Sequence, residues 1–410
     1  MRPTSVLSAG SLLGALALVA GACSSAPSAA PRPPAARHHA AQTSLRSSRG
    51  VASFKLSDIK HVFVIVLENE DAASTFGDPS ADPYLAKTLP SEGVLLENYY
   101  GTGHHSADNY ISLISGQPPN VDTQDDCGTF APFTTTAVHS GGIQDGDGCV
   151  YPAGIANIGT QLSKAGKTWK AYMQDMGNVP SREAAACGHP VVGQPDGTEG
   201  AVQGDGYATR HDPFMYFESI IGKKSYCDAH VVALGSATGK MPASALKGET
   251  GLATDLKSLS TTPDFSFITP NLCYDGHDYP CKNQASGASA LADIDSFLAT
   301  WVPKILHSAA YKDGGMLVVT FDEAETDSTA CCNEKADPGV SPSPPPGISG
   351  PGGGKIGAVV LSPYAKAGTV DSHSYNHYSL LATLETIFGL HRLADAATVP
   401  AIFGKDVFSG

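Results

Sequence analysis

Apolar residues in this chain gather in short continuous runs that alternate with stretches of helical spacing. Short runs rich in β-branched residues are typical of buried strands. The predicted strands are "HVFVIVLE" (61–68), "FSFITPN" (265–271), "MLVVTFDE" (316–323) and "GAVVLSP" (357–363), with "TWKAYMQD" (168–175) as a weaker candidate. The predicted helices are residues 106–116, 155–166, 286–303 and 376–389. Because strands and helices alternate, the pattern predicts an α/β fold with a mainly parallel central sheet flanked by helices.

The N-terminal region departs from this pattern. Residues 1–22 contain an arginine, a short apolar run and then small residues, which is the build of a secretory signal peptide. The sequence "VAGAC" is similar to the lipobox of bacterial lipoproteins and would leave Cys23 lipidated, although the Ala-Gly-Ala before it also fits an ordinary signal-peptidase site. Residues 23–54 are rich in Ala, Pro and Ser, so we expect a disordered tether. The folded domain is then residues 55–410, in an exported bacterial protein that is either secreted or a cell-membrane lipoprotein. Its one link to the membrane would be the lipid of the second alternative.

The cysteines favour export and the lipoprotein alternative. Of nine cysteines, eight remain without Cys23, and an even number in an exported chain predicts disulfides. Pairing of neighbours along the sequence predicts the bridges 127–149, 187–227 and 273–281, whereas Cys331-Cys332 could form a vicinal bridge or pair elsewhere. A second Pro- and Gly-rich stretch, residues 337–354, predicts a long surface loop within the domain.

The chain carries 40 acidic and 26 basic residues, a net charge of −14, and has no basic cluster. Nonspecific binding to nucleic acid is therefore disfavoured. An anionic substrate remains compatible with this charge if metal ions lie in the site.

Polar residues with metal-binding chemistry follow the predicted strands. These residues are Glu68, Asn69, Asp275, His277, Asp322 and Glu323. Ligands of open parallel sheets bind beyond the carboxyl ends of the strands. A single carboxylate there is often only a helix cap, but acidic pairs at the ends of two buried strands indicate a divalent cation. Oxygen ligands favour Ca, Mg or Mn, and imidazole favours Zn or Fe.

The segment "TGHHSADNYISLISGQ" places Ser106 at the start of a predicted helix. Its hydroxyl could simply cap the helix. Alternatively, the hydroxyl and the following backbone N–H groups could form an anion site, with Asn109 donating to a phosphate oxygen. A serine nucleophile needs a base or a metal ion, and the carboxylates at the strand ends could hold that ion. This segment alone leaves both alternatives open.

Six blocks in order along residues 58–408 resemble the bacterial phosphoesterase family of the alkaline phosphatase superfamily. The blocks are "IKHVFVIVLENEDAASTFG", "TGHHSADNYISLISGQ", "RHDPFMYF", "FSFITPNLCYDGHD", "LVVTFDEAE" and "YNHYSLLATLETIFGL". The family contains secreted acid phosphatases, phosphatases of phosphatidylinositol 3-phosphate, and phospholipases C. The resemblance implies a metal-dependent hydrolase of phosphate esters with a serine nucleophile.

The resemblance also implies roles for individual residues. Metal ligands would be Glu68, Asn69, Ser106, Asp322, Glu323, Asp275, His277 and His377. Ser106 would be the nucleophile, with His211 and His277 as candidate proton shuttles, and His105, Asn109 and His211 would bind substrate. The family often has proline where this chain has His105 and Asp108, and a charged Asp108 would disfavour phosphate unless it points away or binds a cation. "DSHSYNHYS" is interpreted as a loop in which Asn376 caps a helix and His373 lies at the surface.

Three functions are consistent with these residues. An acid-phosphatase-like phosphomonoesterase, with phosphatidylinositol 3-phosphate as one candidate substrate, is favoured because the chain is compact. A phospholipase C that cleaves phospholipid phosphodiesters would share the same core. A non-catalytic cell-surface binding protein is disfavoured by the intact Glu-Asn, Ser and Asp-Glu set.

Overall fold

A mixed β-sheet forms the centre of the fold in the computed structural model, which describes residues 54–77, 81–281, 287–332 and 352–409. The strands are β1 (His61–Leu67), β2 (Val94–Tyr100), β3 (Thr134–Val138), β4 (Gln144–Asp147), β5 (Trp169–Met173), β6 (Val231–Ala233), β7 (Phe265–Thr269), β8 (Gly315–Phe321), β9 (Ala358–Leu361) and β10 (Thr369–Asn376). Eight of them form one sheet in the order β10-β2-β9-β8-β1-β7-β5-β6, and β3 and β4 form a separate hairpin.

The sheet is parallel except at β9, which runs antiparallel to both β2 and β8. β1 lies at the centre, with Val64 opposite Val318 of β8 and Phe267 of β7. Every residue of these three strands is buried, which explains their continuous apolar runs. The predicted α/β class, the mainly parallel sheet and all five predicted strands are therefore confirmed.

Helices cover the sheet. The α-helices of the described residues are α1 (Ala72–Gly77), α2 (Leu89–Glu92), α3 (Ser106–Ser115), α4 (Ile158–Lys164), α5 (Glu218–Ile221), α6 (Lys224–His230), α7 (Leu252–Asp255), α8 (Ala290–His307), α9 (Ala309–Lys312) and α10 (His377–Phe388). Short 3-10 turns span Leu56–Asp58, Thr123–Asp125, Ser140–Gly142, Thr209–His211, Pro213–Tyr216 and Ala394–Ala397, and Tyr84–Thr88 is a π-turn. The four predicted helices are present as α3, α4, α8 and α10. α8 continues past Pro303 to His307, and Ile305 beyond the proline is buried in the core.

One local prediction is wrong. Most of "DSHSYNHYS" is not a loop, because residues 369–376 pair in parallel with β2 as strand β10, with a register shift between Asp371 and Ser374. The predicted cap is confirmed: the Asn376 side chain accepts a hydrogen bond from the Ser379 backbone N–H. His373 is exposed, as expected, and its Nδ1 donates to Asp371 Oδ1 at 2.7 Å.

The disulfides follow the predicted pairing of neighbours. Cys127–Cys149, Cys187–Cys227 and Cys273–Cys281 are bridged, and Cys331–Cys332 forms the vicinal bridge that was one of its two alternatives. The predicted signal peptide, the tether up to residue 53 and most of the predicted loop at 337–354 lie outside the described residues. Within the residues that are described, no helix has both the length and the apolar character needed to cross a membrane.

Candidate active site

The carboxyl ends of β1, β7 and β8 bring three acidic residues together. Glu68 directly follows β1 and donates its backbone N–H to the Asp275 carbonyl at 2.9 Å. Asp322 directly follows β8 and donates its N–H to the Leu67 carbonyl, also at 2.9 Å. Gly276 has a φ of 114°, and a Cβ there would lie 2.7 Å from the Glu68 carbonyl oxygen. The turn after Asp275 therefore needs glycine to place this carboxylate beside Glu68.

Ser106 reaches the same place from the start of α3. The N-cap of this helix is His105, so the alternative in which Ser106 only caps the helix does not hold. The Ser106 hydroxyl instead donates to Glu68 Oε2 at 2.9 Å, and Ser106 is 2% exposed. Its nearest acceptor is thus a buried carboxylate, which is the type of partner that a serine nucleophile needs.

His211 lies between two of the carboxylates. Its Nδ1 is 3.0 Å from Asp275 Oδ2, and its Nε2 is 3.4 Å from Glu68 Oε1. The ring stacks on Tyr110 of α3 with an interplanar angle of 7°. Burial, and then the charges of Arg210 and His277, hold the pKa of His211 well below its usual value. A neutral ring that donates from Nδ1 turns the Nε2 lone pair towards the Glu68 carboxylate.

These groups fit a cation. Glu68 Oε1, His211 Nε2 and Asp322 Oδ2 are buried without hydrogen-bond partners. Glu68, His211 and Asp275 each offer a ligand atom within 4.8 Å of the others, and they are the one such group found among the described residues. Burial raises the pKa of Glu68, with the charges of Asp322 and Asp275 adding to it, and burial raises the pKa of Asp322 to about 6. Buried acceptors that repel one another are stabilised by a shared metal ion, so this group could hold one.

Two further predicted ligands, His377 and Asn69, form hydrogen bonds with Asp322. His377 contacts its backbone carbonyl, and Asn69 contacts its carboxylate. His377 donates from Nε2 to the Asp322 carbonyl oxygen at 2.6 Å, and its Nδ1 is 3.2 Å from the Tyr99 hydroxyl. Asn69, whose φ is 57°, donates its backbone N–H to Asp322 Oδ1 at 3.2 Å. In this arrangement both residues orient Asp322, and their roles as metal ligands remain predictions.

The other predicted residues surround the cluster at its rim. Glu323 also donates its N–H to Asp322 Oδ1, and its Oε2 is 4.0 Å from Nδ1 of His104. His277 donates from Nδ1 to Asp278 Oδ1 at 2.8 Å and accepts from Arg210 at Nε2, so neither ring nitrogen is free. His105 Nδ1 is 3.7 Å from Asp126 Oδ2.

Asn109 organises the loop before α3. Its Oδ1 accepts from the backbone N–H groups of Thr102 and Gly103 at 2.7 and 3.0 Å, and its Nδ2 donates to the carbonyls of Gly103 and His105. These bonds fix the loop that carries His105 and Ser106. A direct contact between Asn109 and substrate remains a prediction.

Asp108 is buried against the loop before α3. Its carboxyl packs against Gly103, both of its oxygens lack hydrogen-bond partners, and the residue is 1% exposed. Burial raises the pKa of Asp108 well above its usual value, and the charges of Asp126 and Asp322 add to this. The raised pKa favours the neutral carboxyl, which would not repel phosphate as a charged Asp108 would.

Three neighbours of the cluster were not predicted from the sequence. Tyr110 stacks on His211, Asp126 accepts the backbone N–H of Ala107 at 3.0 Å, and Arg210 donates to His277. The only sequence signal for Arg210 was its place beside His211 in "RHDPF".

Buried carboxylates, a histidine and a helix-borne serine at the carboxyl edge of an α/β sheet define an enzyme-like site with a candidate metal centre. The chain belongs to the phosphoesterase family, whose model matches residues 80–391. It is 24% identical over 353 residues to phosphatidylinositol-3-phosphatase of Mycobacterium tuberculosis, covering 86% of this chain and 85% of that protein.

Fungal acid phosphatases are also similar. That of Aspergillus fumigatus is 22% identical over 81% of this chain, and the phosphate-repressible acid phosphatase of Penicillium chrysogenum is 26% identical over 80% of it. The chain spans only 55% and 59% of the length of these two proteins. Among solved structures, an alkaline phosphatase superfamily protein from Vibrio parahaemolyticus matches with a TM-score of 0.46 and 15% identity, over 84% of this chain and 71% of that one.

Family membership identifies the chain as a phosphoric ester hydrolase. The alternative of a non-catalytic binding protein is therefore set aside.

Proposed function

We propose that this enzyme is a metal-dependent phosphomonoesterase of the acid-phosphatase type, with Ser106 as its nucleophile. The observation that carries the proposal is the hydrogen bond from the Ser106 hydroxyl to Glu68 Oε2, 2.9 Å long and fully buried at the start of α3. A divalent cation held by Glu68, Asp322, His211 and Asp275 would supply positive charge that favours the ionised serine and screens the phosphate.

Each side chain of the site would then have its own role in phosphoryl transfer. Glu68 Oε2 is in position to accept the hydroxyl proton of Ser106 as Oγ attacks phosphorus in line with the leaving group. The bond to the leaving oxygen breaks, a phosphoserine forms, and water later attacks the same phosphorus and releases phosphate. The positive end of the α3 dipole favours the anion, although the Ala107 N–H donates to Asp126 and is not free to bind it. Both ring nitrogens of His277 are engaged, and His211 as a metal ligand would use Nε2 for the cation while its Nδ1 contacts Asp275. Neither predicted proton shuttle then has a free ring nitrogen, and solvent would protonate the leaving oxygen.

Phosphatidylinositol 3-phosphate is a candidate substrate because the similarity to the mycobacterial phosphatase extends over 86% of this chain. A phospholipase C activity is the second candidate, since the same cluster could act on a diester. The four disulfides support our proposal that the chain is exported, either as a lipoprotein modified at Cys23 or as a secreted protein.

The test is the turnover of Ser106→Ala beside Ser115→Ala. Ser115 is a matched control because it is a buried serine of the same helix whose hydroxyl donates to the Ile111 carbonyl. We expect Ser106→Ala to lower kcat by about three orders of magnitude or more, and Ser115→Ala to stay within a few-fold of the parent enzyme. The substrates are p-nitrophenyl phosphate, a phosphodiester analogue, phosphatidylinositol 3-phosphate and phosphatidylcholine, each with and without chelator. A folded, metal-loaded Ser106→Ala enzyme with near-normal turnover would exclude the serine mechanism.

A further inference from the structure

Arg210 is a buried cation without an anionic partner. It is 4% exposed and lies in the 3-10 turn Thr209–His211. Nη1 donates to the Glu199 carbonyl at 2.7 Å, Nη2 donates to His277 Nε2 at 3.0 Å, and Nε has no partner. No carboxylate of the described residues lies within 4.0 Å of the guanidinium. Arg182, whose side chain is 9% exposed, is instead paired with Asp205 at 3.0 Å.

Arg210 borders the pocket of the candidate nucleophile. It precedes His211 in the chain, and the rings of His211 and His277 are 5.6 Å apart. Asp126 is close enough for the charge of Arg210 to contribute to lowering its pKa. Asp126 Oδ1 accepts the Ala107 N–H, which is the backbone group that directly follows Ser106. The guanidinium is thus joined to the site through His277, and its charge reaches Asp126, which binds the start of α3.

The contacts of Arg210 hold its guanidinium without neutralising it. The Glu199 carbonyl and the His277 lone pair are both uncharged acceptors, and His277 is itself oriented by its bond to Asp278. The charge of Arg210 acts on the nearby carboxyls of Asp126, Asp275 and Asp278 in the direction that lowers their pKa values, but none of the three forms a direct ion pair with it. A buried guanidinium without a direct ion pair is costly to maintain. A guanidinium binds phosphate oxygens with several directed donors, so a bound phosphate would remove this cost.

We propose that Arg210 binds a non-bridging phosphate oxygen of the substrate and selects dianionic monoesters over monoanionic diesters. This inference rests on the proposed phosphatase function. A monoester carries close to two negative charges near neutral pH and a diester carries one. An additional fixed positive charge therefore favours the monoester, and it does so most strongly where water is excluded. His277 then acts as a positioning residue that holds the guanidinium.

The experiment compares Arg210→Gln, Arg210→Lys and the control Arg182→Gln on p-nitrophenyl phosphate and bis(p-nitrophenyl) phosphate. For Arg210→Gln we expect the ratio of monoester to diester kcat/KM to fall about 10- to 100-fold, with a similar rise in the inhibition constant of inorganic phosphate. Arg210→Lys should recover part of the ratio because it keeps the charge. Arg182→Gln should lower thermal stability and leave the ratio unchanged.

An unchanged ratio in a folded Arg210→Gln enzyme would overturn the inference and make Arg210 a structural residue. If that variant does not fold, Arg210→Met, which also removes the charge, is measured instead, and a ratio equal to that of the parent enzyme overturns the inference. If the parent enzyme hydrolyses neither substrate with any metal, the proposed function fails first and this inference fails with it. If the enzyme hydrolyses the monoester and Arg210→Gln leaves the ratio of monoester to diester kcat/KM unchanged, the role of Arg210 is rejected and the proposed phosphatase function stands.

Discussion

The carboxylate cluster should destabilise the metal-free enzyme, and Asp322→Asn is the cleanest perturbation of it. Asn keeps an Oδ1 that can accept the backbone N–H groups of Asn69 and Glu323, which Asp322 accepts at 3.2 and 2.6 Å. The substitution replaces only Oδ2, a buried atom without a hydrogen-bond partner. The change therefore removes one charge and little else.

The size of the effect follows from the pKa of Asp322. Burial raises this pKa from 3.8 to about 6, and each unit corresponds to about 1.4 kcal/mol, so ionising Asp322 costs the folded state about 3 kcal/mol. Because the pKa is raised on folding, this cost is absent below about pH 4 and grows as the pH rises through about 6. Metal-free Asp322→Asn should then be more stable than the parent enzyme by about 3 kcal/mol at pH 8, and equal to it near pH 4.

The assay is denaturant unfolding of chelator-treated protein at both pH values, followed by the same measurement with added divalent metal. Metal at 100 times its dissociation constant should stabilise the parent enzyme by about 2.7 kcal/mol and Asp322→Asn by much less. Asp313→Asn is the control, because Asp313 precedes the same strand β8 and pairs with Lys60 at the surface. A metal-free Asp322→Asn protein that is less stable than the parent enzyme at pH 8 would refute the reasoning.

Two other substitutions test the fold. Burial raises the pKa of Glu385 to about 8, so the parent enzyme should lose stability as the pH rises from about 4.5 to 8. Glu385→Gln should remove about 3–5 kcal/mol of that loss while still accepting the Leu393 N–H, as unfolding at pH 5 and pH 8 would measure. Replacing Cys127 and Cys149 together by serine should lower the free energy of unfolding by about 3 kcal/mol; an unchanged melting temperature would contradict this.

The strand ends were predictable because their signal is local. Continuous apolar runs identified β1 and β8, and the positions directly after them supplied Glu68 and Asp322. Neighbouring parallel strands end at the same edge of the sheet. Once a parallel sheet was assumed, Glu68 and Asp322 were therefore expected to lie close together. β10 was missed because only three of its eight residues are buried, so its pattern is nearly as polar as that of a loop.

The remaining parts of the site depend on tertiary contacts. His211 and Arg210 lie in a short 3-10 turn far along the chain from Ser106, and no periodicity places that turn beside α3. The burial of Asp108 was not foreseen because an acidic residue in the first turn of a helix is usually a solvated partner of the helix dipole. Asn109 is a suitable phosphate donor by residue type, but the loop before α3 uses its side chain.

The most direct test of the central claim is to trap the covalent intermediate. A metal-loaded sample would be mixed with p-nitrophenyl phosphate, quenched in acid within the first turnovers and digested for mass spectrometry. The account predicts a phosphate on Ser106 in the peptide that covers residues 99–117, and no phosphate there in Ser106→Ala. An active enzyme that is never phosphorylated at Ser106, or that carries the phosphate on another side chain, would contradict the account.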